Sequence, residues 1–433
     1  MKKTLFGTFF VLFALASLFG ADITIPRLEW FSRGSMVNDE LVISSAAEAE
    51  LAVNGGYKYG ITLGLGLEVP NMERAISYGR LNLRHAASPG ATEYNALVDE
   101  VNDRSNNQAV LSFRMLEASA RELFGKPLDF SFFIGKYDAL ASGDDFALKF
   151  GAVPIGTDLR GFFYYADGLR VLDPQAPPPS VPPENDPGIR FNGAIHTIAG
   201  TGGKIAYAPS DRIITSLYVY QDLSFKDADT GAYKHGHYSG DLSLLVNSER
   251  IKLEAFAGST YINDRVTKEK KPVFRGGVLA YFSSGVGTDL LLQAGIPYWR
   301  TGEEFGIDNC YFLLEPRFRF GVAGLTLTFF YRPSYYNNQM IVDENGEREH
   351  GLADINAKLF FGDLAAKAVQ GGIEGTVELS IQESEEVKIW LSPFLSVVSS
   401  GLLWDFKVRV NPRYFTSGES TLAEGYIGIR TSF

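Results

Sequence analysis

The chain has 433 residues, with 40 Lys and Arg against 51 Asp and Glu and a formal net charge of −11. That balance excludes nucleic acid as a partner. The single cysteine, Cys310, excludes an internal disulfide framework.

Residues 1–21 place Lys2 and Lys3 before an apolar run of about fifteen residues that ends in Gly20 and Ala21. This is the layout of a secretory signal peptide cut near Ala21, and shorter than the roughly 20 apolar residues of a membrane anchor. Its removal takes the basic count from 40 to 38, so the exported chain, 22–433, is more acidic still. No linker divides these residues, which are read as one domain. The first of them, 22–39, precede the first clear strand; the stretch is too short for a plug and short enough to enter a lumen.

From residue 40 onward the period is two. Strands are expected over 40–53, 57–69, 74–87, 109–124, 127–137, 199–208, 212–225, 236–248, 251–264, 272–284, 287–299, 309–321, 324–336, 353–363, 371–383, 386–398, 404–415 and 423–433. In 371–383, Ile373, Val377, Leu379 and Ile381 fall on one face and Glu374, Thr376, Glu378 and Gln382 on the other. In 404–415, Trp404, Phe406, Val408 and Val410 oppose Asp405, Lys407, Arg409 and Arg413. Ile61, Leu63, Leu65 and Leu67, then Leu325, Leu327, Phe329 and Tyr331, repeat the design. The runs exceed the roughly 5 or 6 residues of a soluble strand and match the roughly 9–11 that cross a bilayer at about 45°. Lipid forbids open sheet edges, so such strands must close. The expected fold is all-β: a transmembrane antiparallel barrel of about 18 strands, within a range of 16–20 because 138–198 is long enough to hold another hairpin.

Connections support this. Short ones, at 399–402, 321–324, 283–287, 247–250, 208–212, 124–127 and 70–74, alternate with longer ones at 336–351, 299–308, 264–271, 225–235 and 88–108; 54–58 falls on the long side of this count. The chain ends with Ile427, Ile429, Thr431 and Phe433 alternating against Tyr426, Gly428 and Arg430. In this it resembles Gram-negative outer-membrane β-barrels, which commonly end on a strand with a terminal Phe. The resemblance implies that Ile427, Ile429 and Phe433 form the signal read by the barrel-assembly machinery.

The segment 138–198 follows about the fifth strand. In that it resembles diffusion porins, whose third external loop follows strand five and narrows the pore. It carries Asp144, Asp145, Asp158 and Asp167 with few bases, among them Arg160, and its "PQAPPPSVPPENDP" tract cannot continue a ladder. Residues 143–168 are expected to fold inward. Arg80, Arg84, Arg317, Arg319, Arg332, Lys407, Arg409 and Arg413 share polar faces and are expected to line the lumen opposite those acids; Glu315, Glu374, Glu378 and Asp405 share the same walls, so a wall of mixed sign is the plainer expectation. An arginine facing lipid at mid-depth costs about 2–4 kcal/mol.

Signs of chemistry are thin. His235 and His237 give two ligands of one strand face, where a metal needs three or four. Ser239 and Asp241 follow His237 on that face, but a hydrolytic triad is a matter of geometry rather than neighbours in sequence. The stretch 200–205, "GTGGKI", lacks the spacing of a phosphate-binding loop. Neither metal nor cofactor is expected, nor an enzyme. The resemblance implies an outer-membrane porin for passive diffusion of small hydrophilic solutes. Its expected partners are outer-membrane lipids, the assembly machinery, the solutes and further copies of the chain in a trimer. Two other readings stay open: a channel for hydrophobic compounds such as fatty acids, and a surface-exposed adhesin or structural barrel.

Overall fold

In the computed structural model, the described residues are 22–37, 40–77, 98, 108–151, 155–159, 193–222, 237–261, 272–333, 335–336, 339–340, 351–364, 368–380, 387–414 and 422–431. The signal segment, Arg80, Arg84, Arg160, Asp167, His235 and Phe433 lie outside them.

Among the described residues, twenty strands follow in chain order: β1 Asp22–Val37, β2 Glu40–Gly55, β3 Tyr59–Val69, β4 Val110–Ala120, β5 Leu128–Leu140, β6 His196–Ser210, β7 Ile213–Asp222, β8 Tyr238–Asn247, β9 Ile251–Tyr261 and β10 Pro272–Ser283. Then come β11 Thr288–Arg300, β12 Tyr311–Phe320, β13 Ala323–Arg332, β14 Tyr335–Tyr336, β15 Gln339–Met340, β16 Leu352–Asp363, β17 Val369–Ser380, β18 Lys388–Ser399, β19 Leu402–Val410 and β20 Ala423–Thr431. β14 and β15 pair only with each other. The other eighteen form one antiparallel sheet in which sequence neighbours are ladder neighbours. β1 closes it by pairing with β20, Trp30 opposite Ile429 and Ser32 opposite Ile427. The molecule is an all-β, closed, 18-stranded barrel.

Alternation fixes the two walls. Along β13, Leu325, Leu327 and Phe329 point out, while Thr326, Thr328, Phe330 and Arg332 are buried inside. Along β19, Phe406 and Val408 are exposed and Asp405 and Arg409 buried. Tyr331 has the outward register but is covered, its hydroxyl donating to Asp308 at 3.4 Å. Tight turns join the strands at one end. At Ser400–Gly401, both residues have positive φ (53° and 76°), the two-residue hairpin pattern whose twist matches the strands it joins.

Eighteen is the expected number, reached with one strand exchanged for another. Residues 22–37 are β1, not a lumenal tail: Leu28 and Trp30 face out while Arg27, Glu29, Phe31 and Arg33 face in. Pro26 hides this alternation. It sits where the register to β2 shifts between Thr24 and Arg27, as a residue without an N–H must. Of the strand expected over 74–87, residues 78–87 lie outside the described residues and 74–77 belong to a short helix, Met72–Ser77; β3 pairs directly with β4. The ends are therefore reversed for two connections. The link 56–58 is a tight turn on the short side, and residue 70 begins a long connection that reaches 109.

Candidate functional site

The lumen is the candidate site, and its described half-plug is the segment that follows β5. Ala141 (φ 55°) and Gly143 (φ 83°) turn the chain sharply. A short helix, Asp144–Phe150, follows. Phe146, Ile155 and Leu159 then bury themselves against Phe256, Leu279, Leu291, Leu313 and Phe330 of the inner wall. An apolar side chain on the inner face is costly beside water; here each covers the other.

Polar bonds fix the same segment. Glu254 of β9 accepts the N–H of Ala141 at 2.5 Å on one oxygen and that of Gly143 at 3.0 Å on the other. Gln293 of β11 donates to the carbonyls of Ala141 (2.5 Å) and Gly193 (2.6 Å), and Tyr311 donates to its side-chain oxygen at 3.0 Å. Farther along, Glu315 of β12 accepts from Thr157 Oγ1 (2.5 Å), the Asp158 N–H (3.1 Å) and Thr328 Oγ1 (2.9 Å). Arg317 donates to Glu315 at 2.8 Å and to the Gly156 carbonyl at 2.6 Å.

The loop acids separate. Asp144 begins the helix, its N–H on Ser142 Oγ at 3.1 Å. Asp145 is buried; desolvation first, then Asp138, pushes its carboxyl above the usual range. Asp158 takes a bond from Thr326 Oγ1 at 3.0 Å and lies 3.8 Å from Lys358 Nζ. Burial alone would raise its pKa, but Lys358 and Arg317 outweigh it and hold the group at about 2.

The wall bases are interleaved with acids rather than gathered opposite the loop. Arg332 Nε is 3.2 Å from Asp354, and Lys407 pairs with Glu374. Arg409 lies 3.7 Å from Glu378 and 4.0 Å from Glu424, with its guanidinium 4.0 Å from the centre of the Trp390 ring. Arg319 is exposed beside a tight turn, its N–H on the Gly287 carbonyl. Arg413 lies beyond the end of β19, donating to the Val387 carbonyl. Ile427 and Ile429 sit on the outward register of the closing strand.

Several charged groups went unread in the sequence. Arg275 binds both oxygens of Asp241, at 2.7 and 2.6 Å, and reaches Thr260 and Tyr220 as well. Gly258 makes room for this: a Cβ there would fall 1.9 Å from Asp241 Oδ1. Asp241 thus holds an arginine, and Ser239 donates to Asp222 at 2.7 Å, so the row of Ser239, Asp241 and His237 is not arranged as a triad. Lys204 meets Asp138 at 2.8 Å, where Tyr218 also donates. Gln293 was signalled by its isolation, as the lone polar residue in "LLLQAGI".

One contrast organises the lumen. Under the inward segment, Glu254, Glu315 and Gln293 are at most 2% exposed. On the arc of β1, β2, β4 and the end of β20 several inner charges keep access to water: side-chain exposure is 25% for both Arg27 and Arg33, 30% for Glu50, 27% for Arg114 and 42% for Arg430. Between the two regions Asp354, Glu374, Glu378, Asp405, Arg409 and Glu424 of β16–β20 are ion-paired and buried. Where the arc meets the tip of the segment, a half-open cleft is lined by Asp158, Leu159, Lys358, Glu374, Asp405, Lys407 and Arg430.

Neither a family model nor a curated protein matches the chain. Solved structures similar to it include OccAB2 of Acinetobacter baumannii, at 10% identity and a TM-score of 0.49, covering 95% of this chain and 98% of that one. Another is the outer membrane protein OpdK of Pseudomonas aeruginosa, at 10% identity and 0.48, covering 95% and 97%. A mutant porin of Rh. blastica follows at 9% and 0.40, covering 95% and 100%. The likeness is one of fold.

Proposed function

We propose that the protein is an outer-membrane porin, a water-filled channel for passive diffusion of small hydrophilic solutes, with 141–159 as part of its constriction. The observation that carries this reading is the division of the lumen. One side of it is covered by a segment bonded to the wall, and β1, β2 and β4 keep an ion-paired, water-accessible lining. The outward apolar faces suit lipid, since burying such area is worth about 25 cal/mol per Å². The mixed signs of the arc suit hydrophilic solutes. In a narrow throat the effective dielectric is lower than in bulk, so fixed charges of both signs act strongly on whatever passes. An apolar solute would gain nothing from that lining.

Proteoliposome swelling tests the reading. Vesicles carrying the protein should swell in small sugars and amino acids and exclude large oligosaccharides. Replacing 144–155 with a short Gly-Ser linker should raise the size limit. Vesicles that stay impermeable to every small solute, while the barrel is inserted, would remove the porin reading.

A further inference from the structure

We infer that Glu254 and Glu315 are positioning residues of the throat: two wall carboxylates clamp the inward segment at Ala141–Gly143 and at Thr157–Asp158, and solutes pass along the opposite arc of β1, β2 and β4. This rests on the porin reading above and adds what holds the constriction and where the route lies.

The two clamps are alike in chemistry. A carboxylate is an acceptor with no proton to donate. Glu254 is matched to two backbone N–H groups, those of Ala141 and Gly143, one on each oxygen. These donors belong to a turn and have no ladder partner to use instead. The backbone is bent to reach them: Ala141 is held at φ 55°, a left-handed conformation that residues with a side chain seldom adopt. Glu315 repeats the arrangement farther along the segment, taking the Thr157 hydroxyl and the Asp158 N–H while Arg317 closes on the Gly156 carbonyl. Both carboxylates are buried, so water does not compete for the bonds. Between the clamps, Phe146 and Ile155 fill the space above the wall. The segment is thereby committed to the side of β8–β13, its helix packed against β8, where Ser243 is buried, while Glu50 of β2 stays open to water.

Glutamine in place of either glutamate keeps the size but turns one acceptor into a donor. It would face an N–H or hydroxyl that already donates, so the clamp should open without loss of the barrel.

Thiol access in planar bilayers tests this, in a C310S background. Glu50→Cys should react with a water-soluble sulfonated thiosulfonate reagent and lose current. Ser243→Cys should react at least about tenfold more slowly, as a site reached only by local opening. Adding E254Q and E315Q together should bring Ser243→Cys to within a few-fold of the Glu50→Cys rate and make the open-channel current noisy. R212Q, an exposed base in the tight turn between β6 and β7, should change neither. If the double variant fails to insert, each single glutamine variant should still raise the Ser243→Cys rate and the noise. Ser243→Cys reacting as fast as Glu50→Cys in the unclamped and clamped proteins alike overturns the inference. So does a rate and noise unchanged by either glutamine. If the parent itself does not conduct, the porin reading fails and the inference with it; a conducting parent with insensitive glutamates defeats the inference alone.

Discussion

Arg275 and Asp241 are both almost fully buried on the inner wall, joined by two bonds and surrounded by Tyr220, Thr260 and Ser239. Removing one member of such a pair strands the other charge, which typically costs about 3–5 kcal/mol. Arg275→Met should therefore lower the temperature at which the unheated gel band converts to the unfolded one, and Arg275→Met with Asp241→Leu should recover much of the loss. Additive losses would mean that the pair is not coupled. Asp158 makes a separate case, because its charge ties the segment tip to Lys358. Its folded pKa, about 2, lies below the ordinary value of about 3.9, so its stabilising share is complete above the ordinary value and disappears as pH falls through about 2. The difference in heat-conversion temperature between the parent and D158N should be constant from neutral pH to about 5 and shrink between about 4 and 2. A difference independent of pH would show that this carboxylate does not carry the link. Neither pair was legible in the sequence. Alternation assigns a residue to a wall but not to a height on it, and partners such as Thr157 and Glu315 lie far apart in the chain and meet only through the fold of the segment.

At the scale of the strand, alternation was the readable quantity. It placed Phe329, Phe406 and Val408 outside and Lys407, Arg409, Arg317 and Arg332 inside, where the barrel has them. It failed where chemistry broke the period. Pro26 interrupts β1, and the stretch after Pro70 imitates a strand by placing apolar and charged residues in turn while its beginning winds into a helix. The two faults cancelled in the count, because the 18-stranded sheet includes β1 and passes directly from β3 to β4. The register itself can be checked at one neighbouring pair. A cysteine replacing Phe406 should be labelled by a lipid-soluble maleimide and protected from a charged one, and a cysteine replacing Lys407 should behave the opposite way. Reversed labelling would mean a slip of one residue, which turns every side chain of β19 to the other wall.

For the whole molecule, closure comes first. β1 has charged residues inside and large apolar ones outside, and it seals against β20 over Glu29–Ser35, leaving the sheet without an edge. Length, alternation and the parity of connections made a closed barrel legible before any contact was known. The division of the lumen was not, because it depends on a segment whose anchors, Glu254 and Gln293, belong to strands about a hundred residues away or more. A barrel covered on one inner side by a bonded segment and lined on β1, β2 and β4 with water-accessible ion pairs should conduct ions steadily without a ligand to open it. Single-channel recording in a planar bilayer measures this directly. The account predicts a stable open step at neutral pH that grows with salt concentration, and a larger step once 144–155 is replaced by a short linker. Folded, heat-modifiable protein that inserts and passes no current in either form would contradict it.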